Sequence, residues 1–243
     1  MRIPTEPGSS SQPSPDAADV AALILAGGSG TRLGLGPKFA LDLGGLSLLE
    51  RAVAIAGRRC AEVVVGVPGD SVDLWRARLE RGARVVPGGF TRRETLARLV
   101  EASGAQWMVV YDAARPFVAP SQIDAVLAAA ARTGAATSIV NGHEPALIVR
   151  DGVVVPGYAE GAGQIATPQA FARAVLDRAL RHVTGERPPN YPWICQLVME
   201  TGVELLAVPA PAWYFKITTA YDWVVARRLA GDPAYDPLAA AAP

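Results

Sequence analysis

Two kinds of block alternate along this chain. Short, unbroken apolar runs are followed by longer stretches whose apolar residues recur every three or four positions. Val20–Leu25 and Glu62–Val67 belong to the first kind, and their β-branched, uncharged cores predict strands buried on both faces. Residues 83–86 and 107–111 are shorter runs of the same type. Between them, Ser47-Leu48-Leu49-Glu50 is a capping box that opens a helix to about Arg59. Residues 71–81 have helical spacing, and the turn Pro87-Gly88-Gly89-Phe90-Thr91 leads into a helix reaching Ala102. The run ending at Tyr111 breaks into Asp112-Ala113-Ala114-Arg115-Pro116, after which Ser121 and Asp124 are placed to cap a helix closing at Thr133-Gly134. Strand, helix and short connection in this rotation predict an α/β fold with a doubly wound, mostly parallel sheet.

The rhythm changes near Ala136. Asp151-Gly152, flanked by apolar residues 146–150 and 153–155, predicts a hairpin, and so a β-arm over about 139–165. Residues 157–163 are glycine-rich and read as mobile. Helices are expected over 169–182 and 193–201, closing strands over 203–208 and 215–217, and a last helix from Thr219-x-x-Asp222 to Leu229. Residues 1–19 are rich in Pro and Ser and read as a disordered tail. That leaves a single domain over 20–231 and a loose tail over 232–243.

Composition narrows the function classes. With 243 residues, half of them hydrophobic and 19% charged, the chain has ample material for a core. The formal net charge is zero, which argues against nucleic acid or a membrane surface as partner and requires any anion site to be a local cluster. Cys60 and Cys195 lie far apart without metal-ligand spacing and read as packed apolar residues. The N-terminal stretch has no apolar segment of the signal-peptide kind, so a cytoplasmic location is expected.

Candidate chemistry begins where the first strand ends. Ala26-Gly27-Gly28-Ser29-Gly30-Thr31-Arg32 runs on through Pro37-Lys38, and glycines after a buried strand let backbone N–H groups close on an anion. It is neither a P-loop, since no Gly-Lys-Ser/Thr follows, nor a dinucleotide fingerprint, since Leu33 stands where a third Gly belongs. A glycine-rich surface loop that binds nothing is the plain alternative. Ligands of open parallel sheets bind beyond the carboxyl ends of the strands. The 27–38 loop, the 88–95 turn and the 112–116 turn all fall there. Arg32, Lys38 and Arg115 are cations suited to a triphosphate, and Asp112 is a carboxylate suited to Mg²⁺ between phosphates. The plain alternatives are a turn cap for Asp112 and a surface ion pair for Arg115. Asp222 reads as a helix cap, His143 and His182 as local hydrogen-bonders, Arg93 as a solvated residue, and Trp193, Trp213 and Tyr214 as core.

Taken together, the 26–38 stretch, Gly88-Gly89 with Arg92 and Thr95, Asp112-Ala113-Ala114-Arg115-Pro116, Thr167-Pro168-Gln169 and Lys216-Ile217-Thr218 follow a familiar order. The chain resembles the methylerythritol-phosphate and ribitol-phosphate cytidylyltransferases over roughly residues 21–229. That resemblance implies a Rossmann-like domain, CTP as co-substrate, Mg²⁺, and a homodimer joined through the β-arm. Arg32 and Lys38 would be the catalytic cations; Ala26, Gly27, Gly28, Gly30, Gly88, Gly89, Arg92 and Thr95 would bind the nucleotide. Asp112, Arg115 and Lys216 would face the acceptor, with Asp112 also near the metal.

The acceptor half departs from the family pattern. Asn141-Gly142-His143-Glu144-Pro145 replaces an Asp-Thr/Ser-Ile-Lys stretch. Residues 158–164 carry Glu160 and no Arg, Pro192-Trp193-Ile194-Cys195 replaces Thr-Asp-Asp-Ala, and Trp213-Tyr214-Phe215 precedes the last Lys motif. Fewer polar groups and more aromatic bulk predict a smaller phosphate or phosphonate acceptor, such as phosphonoformate in natural-product biosynthesis. The alternatives are methylerythritol phosphate itself, a uridylyl- or guanylyltransferase, and an inactive, regulatory nucleotide-binding protein.

Overall fold

The computed structural model describes residues 15–27, 34–80, 82–141, 146–150, 153–159, 162–182 and 193–239. The first half of the described chain is a strand–helix alternation. Strand β1 (Val20–Leu25) is followed by a small hairpin, β2 (Asp42–Leu43) and β3 (Leu46–Ser47), and then by helix α1 (Leu48–Ala56). Next come β4 (Glu62–Val67), α2 (Val72–Arg78), β5 (Arg84–Pro87), α3 (Arg92–Glu101), β6 (Trp107–Asp112) and α4 (Pro120–Thr133). The second half holds β7 (Ala135–Asn141), the arm strands β8 (Ala146–Arg150) and β9 (Val153–Ala159), β10 (Gly163–Ala172) and α5 (Arg173–Arg181). It closes with α6 (Ile194–Met199), β11 (Leu206–Ala210) and α7 (Ala220–Leu229).

The main sheet has seven strands in the order β11-β7-β10-β6-β1-β4-β5, and β8 and β9 pair antiparallel in a separate ribbon. All main-sheet pairings are parallel except those of β10, which is antiparallel to both β6 and β7. From β1 the chain first builds outward through β4 and β5, then returns to lay β6 on the other side of β1. That reversal opens a crevice beyond the ends of β1 and β6, where Leu25 lies opposite Asp112.

Every residue of β1 is buried because alternate side chains serve two separate cores. Val20, Ala22 and Ile24 face Leu49, Trp75, Ile123 and Val126 of α1, α2 and α4. Ala21, Leu23 and Leu25 face Leu96, Leu99, Leu176 and Leu197 of α3, α5 and α6. A third cluster joins Leu43, Leu48, Phe117, Ile217 and Ala226, which fastens α7 beside the crevice.

The strongest local signals match the structure. Both capping boxes form, at Ser47/Glu50 and Thr219/Asp222, and Gly134 takes a left-handed conformation to end α4. Other expectations need correcting. Helix α4 starts at Pro120 with Ala119 as its N-cap, because proline's fixed φ suits the first helical turn, so Ser121 and Asp124 lie inside the helix. Residues 169–172 are strand, not helix: Gln169 to Ala172 pair with β6 while Gln169 to Phe171 also pair with β7. Strand β11 begins at Leu206, in register with β7, and residues 215–217 form no strand. The stretch read as mobile over 157–163 is strand β9 as far as Ala159, and β10 starts at Gly163.

The C-terminal stretch as far as 239 is not a loose tail. Asp236 is buried and ion-paired with the equally buried Arg51 of α1, whose Nη1 also donates to the Leu43 carbonyl at 3.1 Å. Asp236 Oδ2 accepts from the Gly231 N–H at 2.9 Å. A carboxylate supplied from so far along the chain is thus the counter-ion of a core arginine. Removing one partner of a buried pair strands the other charge, so Asp236→Ala is expected to cost about 3–5 kcal/mol of stability in denaturant unfolding. A loss under about 1 kcal/mol, the range of an exposed pair, would contradict this packing.

Candidate active site

Strand β6 carries apolar residues into the sheet interior and ends on a carboxylate at the crevice. Asp112 is only 3% exposed. Its Oδ1 accepts from Arg92 Nη2 at 2.8 Å and its Oδ2 from Lys216 Nζ at 2.9 Å. Its backbone N–H donates to Thr167 Oγ1 at 3.1 Å. Burial would by itself raise the Asp112 carboxyl, but the charges of Arg92, Lys216 and Arg115 overcome it and hold the group well below the usual carboxylate range.

Lys216 comes from the connection before α7, which is tied down from several directions. The Ile217 N–H donates to the Ala114 carbonyl at 2.9 Å. Lys38 Nζ lies 3.2 Å from the Ile217 carbonyl and 3.3 Å from that of Thr218. Asp222 Oδ2 accepts from the N–H groups of Thr218 and Thr219 at 2.8 and 2.7 Å. The lysine that follows the first glycine loop therefore reaches the backbone that carries Lys216.

Arg115, expected to face the acceptor, is turned to backbone here. It is buried, with Nη1 donating to the Tyr214 carbonyl at 2.6 Å and Nη2 to the Ile165 carbonyl at 3.2 Å. With both terminal nitrogens committed to backbone, it holds the Lys216 segment and β10 together beneath the crevice. It is not the exposed ion pair of the plain reading either.

The 88–91 turn is shaped by helix α3. Thr95 Oγ1 accepts from the Gly89 N–H at 3.0 Å and donates to the Thr91 carbonyl at 3.0 Å. The Phe90 N–H donates to Glu94 Oε2 at 2.9 Å, and Arg98 Nη1 donates to the Gly88 carbonyl at 2.7 Å. A Cβ on Gly89 would lie 2.2 Å from Glu94 Cβ, so only glycine fits there.

Among the expected site residues, the structure gathers Lys38, Arg92, Asp112 and Lys216 around the mouth of β6. Gly88, Gly89 and Thr95 stand at the end of the parallel strand β5. Ala26 and Gly27 directly follow β1, and the Ala26 N–H donates to the Gly66 carbonyl at 2.9 Å. Gly28, Gly30 and Arg32 lie outside the described residues, as does His143. Sequence reasoning does not single out Thr167 and Arg98; the Thr167-Pro168-Gln169 motif is the available signal for the first, and nothing marks the second. Arg93, read as solvated, donates through Nη2 to the Leu180 carbonyl at 2.5 Å. Tyr214 is buried as expected, whereas Trp193 and Trp213 are each 39% exposed. Burial raises both thiols, that of Cys60 to about 12, which suits packed cysteines.

Nothing in this arrangement shows the metal role expected of Asp112. Both carboxylate oxygens already have cationic partners, and among the described residues no group of three acidic, His or Cys side chains could hold an ion. Mg²⁺ is commonly bound by one or two carboxylates together with substrate phosphates and water. Around Asp112 the described side chains carry surplus positive charge, which suits a polyanion.

The profile of the 2-C-methyl-D-erythritol 4-phosphate cytidylyltransferases matches residues 20–230. The chain belongs to this family. The enzyme of that name from Deinococcus radiodurans is 40% identical over 214 residues, covering 87% of this chain and 89% of the relative. The Thermus thermophilus enzyme is 38% identical, covering 87% and 97%. A crystal structure of a Thermus thermophilus enzyme of the same name superposes with a TM-score of 0.69 at 31% identity, over 87% of this chain and 98% of that one. A synthase from Anaerococcus prevotii, at 22% identity, shares the fold with a TM-score of 0.75, over 88% of this chain and 98% of that one. As a cytidylyltransferase the chain is a nucleotidyltransferase, which accounts for cations clustered where strands β1 and β6 end. No described helix is long and apolar enough to cross a membrane.

A carboxyl held low in the folded state contributes stability that is complete above its unfolded value, about pH 4, and is lost as pH falls below it. The stability difference between wild type and Asp112→Asn is therefore expected to stay constant from about pH 5 to 8 and to shrink only below about pH 4. Denaturant midpoints across that range check it; a difference that drifts between pH 5 and 8 would mean the carboxyl is not held low.

Proposed function

We propose that this cytidylyltransferase transfers CMP from CTP to 2-C-methyl-D-erythritol 4-phosphate with release of pyrophosphate. The observation that carries the acceptor is the 40% identity, across nearly the whole of both chains, to a relative bearing that name. The smaller phosphonate acceptor expected from the altered acceptor half finds no support in the comparisons. That expectation rests mainly on the arm and on residues 192–195, of which 142–145, 160 and 192 lie outside the described residues.

The reaction is a direct displacement: an acceptor phosphate oxygen attacks the α-phosphorus of CTP, and the bond to the pyrophosphate oxygen breaks in line. No covalent enzyme intermediate is needed, so placement and charge do the work. Arg32 and Lys38 are assigned to the triphosphate and to the charge that builds at the α-phosphorus; Lys216 is assigned to an acceptor phosphate. Gly88, Gly89 and Thr95 are assigned to cytosine and ribose. A divalent cation such as Mg²⁺ arriving with the nucleotide would offset part of the triphosphate charge, and no described side chain is assigned to it. The β8–β9 ribbon, separate from the main sheet, is assigned to a homodimer contact.

Pyrophosphate release with CTP and methylerythritol phosphate, ribitol phosphate or simple phosphonates tests the assignment. Turnover is expected with methylerythritol phosphate, and Lys38→Ala is expected to lower kcat about 100-fold or more, as for loss of a preorganised charge. Turnover confined to a phosphonate would overturn the acceptor, and CTP binding with no turnover at all would favour a regulatory binder.

A further inference from the structure

Arg92 is expected among the nucleotide contacts; its Nη2 is bonded to Asp112, while its buried Nε has no hydrogen-bond partner among the described residues. It sits at the first position of α3, just after the N-cap Thr91, whose Oγ1 accepts from the Glu94 N–H at 3.1 Å. From this anchored turn its Nη2 reaches Asp112 Oδ1, while Lys216 occupies Oδ2. The two cations do not compete for one oxygen. They are also unlike each other. Arg92 is a planar fork on a helix with its side chain 24% exposed; Lys216 is a point charge on a flexible stem in a connection, 31% exposed.

Without Arg92, moving the Lys216 ammonium to a phosphate would leave Asp112, whose side chain is 4% exposed, with no hydrogen-bonded cation among the described residues. Only the nearby charge of Arg115 would remain, and its terminal nitrogens are bonded to backbone, so the cost approaches that of breaking a buried ion pair. A second cation on the other oxygen removes that obstacle. We infer that Arg92 is the standing counter-ion of Asp112, so that Lys216 is free to exchange this carboxylate for a phosphate of the ligand. Arg92 is then a positioning residue, acting on the reaction through Asp112, and it links the helix that shapes the nucleotide turn to the acceptor side. Naming that phosphate as the acceptor's rests on the function proposed above; the redundancy of the two cations does not.

Thermal unfolding of the full chain tests the redundancy without turnover. Arg92→Met and Lys216→Met are each expected to lower Tm by at most about 5 °C, and the double variant by more than about 12 °C. Single losses that merely add, or either single variant as damaging as the double, would overturn the inference. In the pyrophosphate assay, Arg92→Met is expected to lower kcat about 10- to 100-fold, as for a misplaced reacting group, with CTP affinity by calorimetry within about twofold of wild type. Arg92→Lys, which keeps a charge on Oδ1, is expected to return kcat to within about threefold of wild type. A weakening of CTP binding by about tenfold with kcat preserved would make Arg92 a direct nucleotide contact and overturn the inference. If wild type turned over no acceptor, the function proposed above would fail while the unfolding cycle still decided this one.

Discussion

A carboxylate taken out of water has to be met by positive charge, and at Asp112 three separate parts of the chain supply it. Arg92 comes from the start of α3, Lys216 from the connection before α7, and Arg115 from the turn that follows β6 itself. The cost of leaving that group unpaired, several kcal/mol, is large against the net stability of a domain. The electrostatic need of one side chain thus draws elements from both halves of the chain to the same end of the sheet. The same cluster carries more positive than negative charge, which is the condition for receiving a polyphosphate.

Around this centre the ties are mostly to backbone. Arg115 grips the carbonyls of Tyr214 and Ile165, Lys38 approaches those of Ile217 and Thr218, and Arg98 grips that of Gly88. Cations that fasten loops in this way fix the site before any ligand arrives. Preorganisation matters most in a reaction without a covalent intermediate, where the protein contributes orientation and charge alone. The switch in strand order at β1 supplies the crevice; the loops supply its chemistry.

Much of this is legible in the residues, and the limits follow from distance along the chain. Strands β1 and β4 and both capping boxes are set by neighbours within a few positions, so pattern alone places them. Residues 169–172 read as helix in isolation because their strand state depends on β6 and β7, which lie far away in sequence. The C-terminal stretch reads as a loose tail for the same reason: nothing local to Asp236 announces a buried arginine on α1. At the site, residue types and order point to Asp112, Lys38, Arg92 and Lys216, but not to which of them pair with one another. The burial of Arg115 and the double engagement of Asp112 are tertiary facts. The smaller acceptor expected from the sequence finds no support in the relatives: missing polar groups can be counted in a sequence, but which groups the fold brings together cannot.

The most direct measurement is a crystal structure of the protein soaked with CTP. Triphosphate density is expected beyond the ends of β1 and β6, with cytosine against the 88–95 turn and the Arg92–Asp112 pair intact. An empty crevice at saturating nucleotide, or CTP bound with Arg92 swung from Asp112 onto the phosphates, would contradict this arrangement.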